Sequence, residues 1–217
     1  VIITSTAYGN EKEVDGIQVI KSPILFSAFR VPFTPLLPFQ LVREDCDVLH
    51  VYVPSPWIDL NASLKKIISR KTKIITHICN YLILEKDFVT KIFAWIHNTL
   101  TIKPLLVFSD KIILPSLDFK NSLSYTVPSK KTLIVPFGVD TKVFKQNTAV
   151  KKKEQILFVG RLIPEKGFLH LMKAMQRLHT EYPSLKLKVI LSRVYDFEDY
   201  AKQCIRLDTG FLDIEYN

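Results

Sequence analysis

Two rhythms of apolar residues alternate along the chain. Short β-prone runs occur at Val1–Thr4, Gly16–Lys21, Val48–Val53, Thr72–Thr76, Lys111–Leu114, Ile156–Val159 and Leu185–Leu191. These read as strands. Between them lie stretches with helical spacing. Over Asp59–Ser69, Leu60, Leu64, Ile67 and Ile68 share one side, with Lys65, Lys66 and Arg70 on or near the other. Asp87–Thr101 offers Phe88, Ile92, Trp95, Ile96 and Leu100 to a core. Phe168, Leu171, Met172, Met175 and Leu178 form one apolar stripe, and Phe197–Leu207 suggests a further helix. Strands alternating with helices predict an α/β fold with parallel sheets. The run Val48–Val53 is nearly continuous, as in a sheet covered on both faces. His50 within it then reads as a hydrogen-bonded core histidine.

The stretch Ile156–Gly167 organises the rest. It predicts a buried strand, a glycine turn at Gly160, a charged loop and a helix start at Pro164, where a missing N–H costs little. Arg161 and Lys166 then flank the open N–H groups of a helix, a good phosphate site. A solvated loop with two basic residues is the alternative. His77 follows the strand Thr72–Thr76. Ligands of open α/β sheets gather beyond the carboxyl ends of strands, so His77 is a candidate catalytic residue that holds a substrate hydroxyl or moves a proton, with a structural role as the alternative.

The motifs resemble a known family. Phe158-Val-Gly-Arg-Leu followed by Glu165-Lys-Gly is similar to the signature opening the C-terminal domain of family 4 retaining glycosyltransferases. Asp45–Pro54, with its histidine inside a strand, resembles a second unit of that family, and Ser109–Ser116 a third; Ser116 is expected to cap a helix. Lys131–Asp140, ending at Phe144, resembles a fourth, with Phe137 in place of the usual asparagine and Gly138 for a tight turn. Ser192-Arg-Val-Tyr lacks the glycines usual after the following strand.

The resemblance implies the GT-B fold: two Rossmann-like α/β domains facing a cleft, the second incomplete. The expected domains are residues 1–147, on the acceptor side, and 148–217, on the nucleotide-sugar side, joined by the lysine-rich linker Lys145–Gln155. It implies retaining transfer of a sugar from a nucleotide-sugar donor to a glycan or lipid-linked hydroxyl acceptor. Arg161, Lys166 and Gly160 would receive the donor diphosphate, with Gly138 and Asp140 lining the cleft. The donor is a substrate; no cofactor and no metal is implied. The family's N-terminal glycine loop and its later segment with two glutamates find no equivalent here, so the chain is expected to be a fragment. A non-catalytic module that keeps a nucleotide or anionic-surface site is the alternative. Glu198, Asp199 and Asp208 do not match the missing glutamates.

Composition narrows partners only a little. The 217 residues are 47% hydrophobic, which excludes disorder, and the net charge of +9 favours an anionic partner. No ordered aromatic-basic motif supports nucleic acid. The basic cluster Lys65–Lys73 makes an anionic membrane surface a candidate partner. The proline-broken segment Phe26–Phe39 could dip into such a surface, be buried, or face the acceptor. Pro23, Pro32, Pro35, Pro38 and Arg30 argue against a spanning helix over Ser22–Val42. Cys46, Cys79 and Cys204 lack metal spacing and read as buried free thiols in a reducing compartment, which places the expectation in the cytoplasm, with peripheral membrane contact as an extension.

Overall fold

The computed structural model describes residues 1–6, 13–28, 31–80, 88–123, 125–145, 154–191 and 198–216. It divides into two compact units, Val1–Asp140 and Thr141–Asn217.

The first unit opens with β1 (Ile2–Thr6), β2 (Glu13–Val14) and β3 (Ile17–Pro23). β1 runs parallel to β3, and β2 pairs with β3 as a hairpin. Asp15 and Gly16 make its two-residue turn with φ of 50° and 78°. Positive φ at both central residues matches the right-handed twist of the flanking strands. β4 (Phe26–Ala28) and β5 (Val31–Phe33) form an antiparallel pair, followed by α1 (Leu37–Arg43). Phe26 stacks on Phe33, and Phe33 packs against Trp57. The described residues between Ser22 and Val42 are therefore mainly short strands and a short helix.

The main sheet follows: β6 (Val48–Val53), α2 (Pro56–Ile68), β7 (Lys73–Ile78), α3 (Phe88–His97), a π turn (Asn98–Ile102), α4 (Lys103–Phe108), β8 (Lys111–Leu114), α5 (Leu117–Ser122) and β9 (Thr132–Ile134). The strands are parallel and lie in the order of the sequence. Crossovers between parallel strands are right-handed. Stepping always in one direction, they put their helices on one face. Val51, Val53, Ile74, Ile78, Ile112 and Leu114 of that face pack with Ala62 of α2 and with Ile102, Leu105 and Leu106. The other face of β6 is open, so the expectation of cover on both sides fails. His50 is exposed on that face and stacks on Tyr52, rather than sitting in the core. Ser116 caps α5 as expected, accepting the Phe119 N–H at 3.0 Å.

α2 and α3 face the opposite way from their apolar stripes. Asp59, Asn61, Ser63 and Lys65 of α2 are buried, whereas Leu60, Leu64, Ile67 and Ile68 are exposed. Phe88, Ile92, Trp95, Ile96 and Leu100 are likewise exposed. The reason is a set of polar anchors. His97 Nε2 lies 2.9 Å from Asp59 Oδ2, with both side chains buried, so His97 is no surface residue. Lys65 donates to the Glu44 carbonyl at 2.7 Å. Lys66 donates to the Thr72 carbonyl and to Asp110, which also meets Lys73. Lys71 pairs with Asp45. A buried charge needs such partners, and once they are inside, the apolar stripes must turn outward. The basic cluster expected at a lipid surface is thus largely spent within the protein.

The second unit holds β10 (Gln155–Val159), α6 (Phe168–Glu181), β11 (Lys186–Leu191), α7 (Glu198–Ile205) and β12 (Leu212–Tyr216). Its strands are parallel in the order β10-β11-β12. Gln155, assigned to the linker above, opens β10; residues 146–153 of that linker lie outside the described residues. The stripe of α6 turns inward: Phe168, Met172 and Met175 are fully buried against Leu187, Val189 and Leu191. β12 was not anticipated. Asp208 Oδ1 accepts the N–H groups of Gly210, Phe211 and Leu212, which turns the chain and seats Phe211 in the core. That carboxylate is a turn former. Among the thiols only Cys204 is buried; Cys46 and Cys79 are half-buried.

Candidate functional site

Arg161 stands at the carboxyl end of β10. Gly160 continues the strand by donating to the Ile190 carbonyl at 3.1 Å, with φ of 156°. An added Cβ there would meet only the Phe158 ring, at 3.7 Å, so the requirement for glycine is conformational. The loop then tightens. The Ile163 N–H reaches the Arg161 carbonyl and the Lys166 N–H the Ile163 carbonyl, both at 3.0 Å. Pro164–Lys166 forms a 3₁₀ turn, which Gly167 closes in the left-handed region at φ 68°. The helix itself begins at Phe168, so Pro164 opens the short turn before it and not the helix.

This loop brings Gly160, Arg161 and Lys166 together. Both cationic side chains are exposed and neither has an ion-pair partner among the described residues. The open helix start expected from sequence is partly occupied. The Leu169 N–H donates to the Tyr200 hydroxyl of α7 at 3.1 Å. Burial foremost pushes the Tyr200 phenol up, against that hydrogen bond. Tyr200 therefore stays neutral and fixes the first turn of α6 to α7. Tyr200 was not singled out from the sequence, because a hydroxyl that accepts from a backbone N–H of another helix leaves no local signal.

A second cluster lies in the first unit, at the carboxyl end of β7. The His77 ring stacks with Tyr52 at 5.1 Å, His50 at 5.6 Å and Phe137 at 5.9 Å. Period-two geometry puts His50 and Tyr52 on one face of β6, and register sets Tyr52 opposite His77. Both ring nitrogens of His77 are buried without a hydrogen-bond partner among the described residues. Burial, then the neighbouring His50, lowers its pKa below the ordinary histidine value. Neutral imidazole presents one donor and one acceptor.

Phe137, in the position where the resembling family has asparagine, supplies one ring of this stack. Gly138 and Asp140 follow it and are exposed. Gly138 has no positive φ and nothing within 4 Å of an added Cβ, so no tight turn depends on it. Ser192–Tyr195 lies outside the described residues. Among the described residues no group of His, Cys, Asp and Glu could hold a metal ion. Among them, too, no helix is long and apolar enough to cross a membrane.

The fold is α/β with parallel sheets and resembles GT-B glycosyltransferases. It superposes on Anabaena HepE, a structure in complex with UDP and glucose, with a TM-score of 0.65 and 17% identity, covering 93% of this chain and 56% of that one. It also superposes on an α,α-trehalose-phosphate synthase (UDP-forming) from Burkholderia xenovorans, with a TM-score of 0.57 and 16% identity, over 83% and 50%.

More particularly, residues 139–204 match the family Glycosyl transferases group 1. This segment contains the whole Gly160–Gly167 loop. Over 137 residues the chain is 29% identical to a lipopolysaccharide 1,2-N-acetylglucosaminetransferase of Salmonella typhimurium, covering 57% of this chain. The match spans 35% of that relative's length.

Proposed function

We propose that this chain is part of a glycosyltransferase that moves a sugar from a nucleotide-sugar donor to a hydroxyl acceptor with retention of configuration. Residues 148–217 receive the donor and residues 1–147 form the acceptor side. One observation carries the reading: two exposed cations, free of ion-pair partners among the described residues, flank a glycine turn at a parallel strand's carboxyl end, inside the segment that matches Glycosyl transferases group 1.

In this reading Arg161 and Lys166 bind the donor diphosphate. They stabilise the negative charge that grows on it as the glycosidic bond breaks, without a metal ion. One lost contact of this kind costs about 3 kcal/mol in the transition state. Gly160 lets the backbone approach the phosphates, and Gly138 and Asp140 belong to the acceptor side. The neutral His77 imidazole hydrogen-bonds a sugar hydroxyl, for which its two buried nitrogens are suited. The structures of similar fold include one bound to UDP, which makes UDP the first donor nucleotide to try.

The test is a calorimetric titration of the chain with UDP, UMP and uridine. The reading expects affinity to fall from UDP to UMP, and uridine to bind weakest, because the recognition lies in the diphosphate. Uridine binding as tightly as UDP would remove it.

A further inference from the structure

α6 begins without the side chain that a helix start ordinarily uses. Its N-cap is Gly167, which has no side chain to accept the N–H of the second or third helical residue. A residue of another helix takes that part. The Tyr200 hydroxyl of α7 accepts the N–H of Leu169, the second residue of α6, at 3.1 Å. We infer that Tyr200 is a positioning residue for the Gly160–Gly167 loop, an inference that rests on the donor reading proposed above. By capping α6 from α7, Tyr200 fixes the joint at Gly167 and so the place of Lys166 relative to Arg161.

The two halves of the loop are held differently. The first half is anchored: Gly160 donates to the Ile190 carbonyl of β11, and Leu162 and Ile163 are buried. Arg161 stands between these anchors. Pro164, Glu165 and Lys166 are exposed, and the backbone bonds here run only within the loop, from Lys166 to Ile163 and from Gly167 to Pro164. Gly167 sits at φ 68° with nothing within 4 Å of an added Cβ. A glycine in open space is a joint that packing does not hold. Beyond it the Phe168 ring is buried, which seats the helix but leaves the amides of its first turn unbonded. Among the described residues, Tyr200 makes the one hydrogen bond to the backbone of residues 161–169 that comes from outside the loop and α6.

Tyr200 is itself well seated. It is half-buried, and its hydroxyl also bonds the buried Cys204 thiol one turn along α7. A neutral phenol has a proton for the thiol and a lone pair for the Leu169 amide. A phosphate that reaches this helix start meets an amide already taken. The diphosphate then depends on the side chains of Arg161 and Lys166, and on their spacing.

The test compares the native chain with Tyr200→Phe and with Met175→Ala. Met175 is buried farther along α6, so its truncation destabilises the same helix without touching the cap. Amide hydrogen exchange is followed first, without nucleotide. Tyr200→Phe should speed exchange at Leu169 at least about fivefold, with Met172 and Met175 unchanged. UDP is then titrated calorimetrically, below the unfolding transition of every variant. Tyr200→Phe should bind UDP at least about fivefold more weakly, the equivalent of one net hydrogen bond. Met175→Ala should bind as the native chain does. Native affinity in Tyr200→Phe, or an equal loss in Met175→Ala, overturns the inference and leaves the donor reading standing. Unchanged exchange at Leu169 in Tyr200→Phe overturns the cap itself. A native chain without affinity for UDP overturns the donor reading, and the inference with it.

Discussion

Asp59 shows how one side chain can set the direction of two helices. Burial pushes its carboxyl pKa up foremost, against the bonds from His97 and the Ser55 amide, which favour the charged form. Breaking such a pair strands the remaining partner in a poor medium. His97→Ala is expected to cost about 3 kcal/mol or more in a urea unfolding curve. Asp59→Leu combined with His97→Leu should recover much of that loss, because no buried polar group is then left alone. A cycle in which the two changes simply add would contradict a coupled pair. His77 offers the opposite case, a histidine held neutral. Its folded pKa lies below the unfolded value of about 6.5. The folded state thus disfavours the proton. Stability from this group is complete above about pH 6.5 and falls as pH drops through the lowered folded value. A proton titration of the His77 ring by NMR should give a midpoint below that of a free histidine; a midpoint above it would refute the desolvated setting.

At the level of elements, β6, β7, β8, β10 and β11 of the two parallel sheets were legible because their apolar runs are short, rich in β-prone residues and bounded by polar ones. α6 was legible for a related reason: its apolar stripe is also its buried stripe, as Phe168, Met172 and Met175 show. Phe168→Ala is expected to destabilise the second unit by about 3–5 kcal/mol, read as an earlier midpoint in thermal unfolding. For α3 the periodicity was correct and the conclusion that its stripe meets a core was not; for α2 the spacing located the stripe without saying which side faces in. Amphipathic spacing locates a stripe; it does not say which side faces in when a hydrogen-bonded polar pair can be satisfied inside. The β2–β3 hairpin was missed although Asp15-Gly16 is a strong turn signal. β12 was missed because its burial follows from the Asp208 turn, a bond to backbone that residue types do not display. The helix start at α6 was misplaced for a similar reason. Gly167 in the left-handed region separates the 3₁₀ turn from the helix, and Tyr200 takes one amide. Tyr200→Phe should cost about 1 kcal/mol of stability by stranding that N–H.

At the scale of the whole molecule, two units with parallel sheets stand on one chain, and the segment similar to known glycosyltransferases begins at their boundary. The candidate residues of the second unit were legible because a glycine turn and two cations are local features. Those of the first were only half legible. His77 was visible as a strand-end histidine, but the ring stack around it joins β6, β7 and the segment after β9, which only the sheet order brings together. The account depends most on Arg161 and Lys166 as the receivers of a nucleoside diphosphate. Calorimetric titration of UDP into the native chain and into Arg161→Ala with Lys166→Ala tests this directly. Two charge-assisted contacts at about 1.5–3 kcal/mol each predict a loss of affinity of at least about a hundredfold, with the unfolding transition unmoved. An unchanged dissociation constant in the folded double variant would contradict the account.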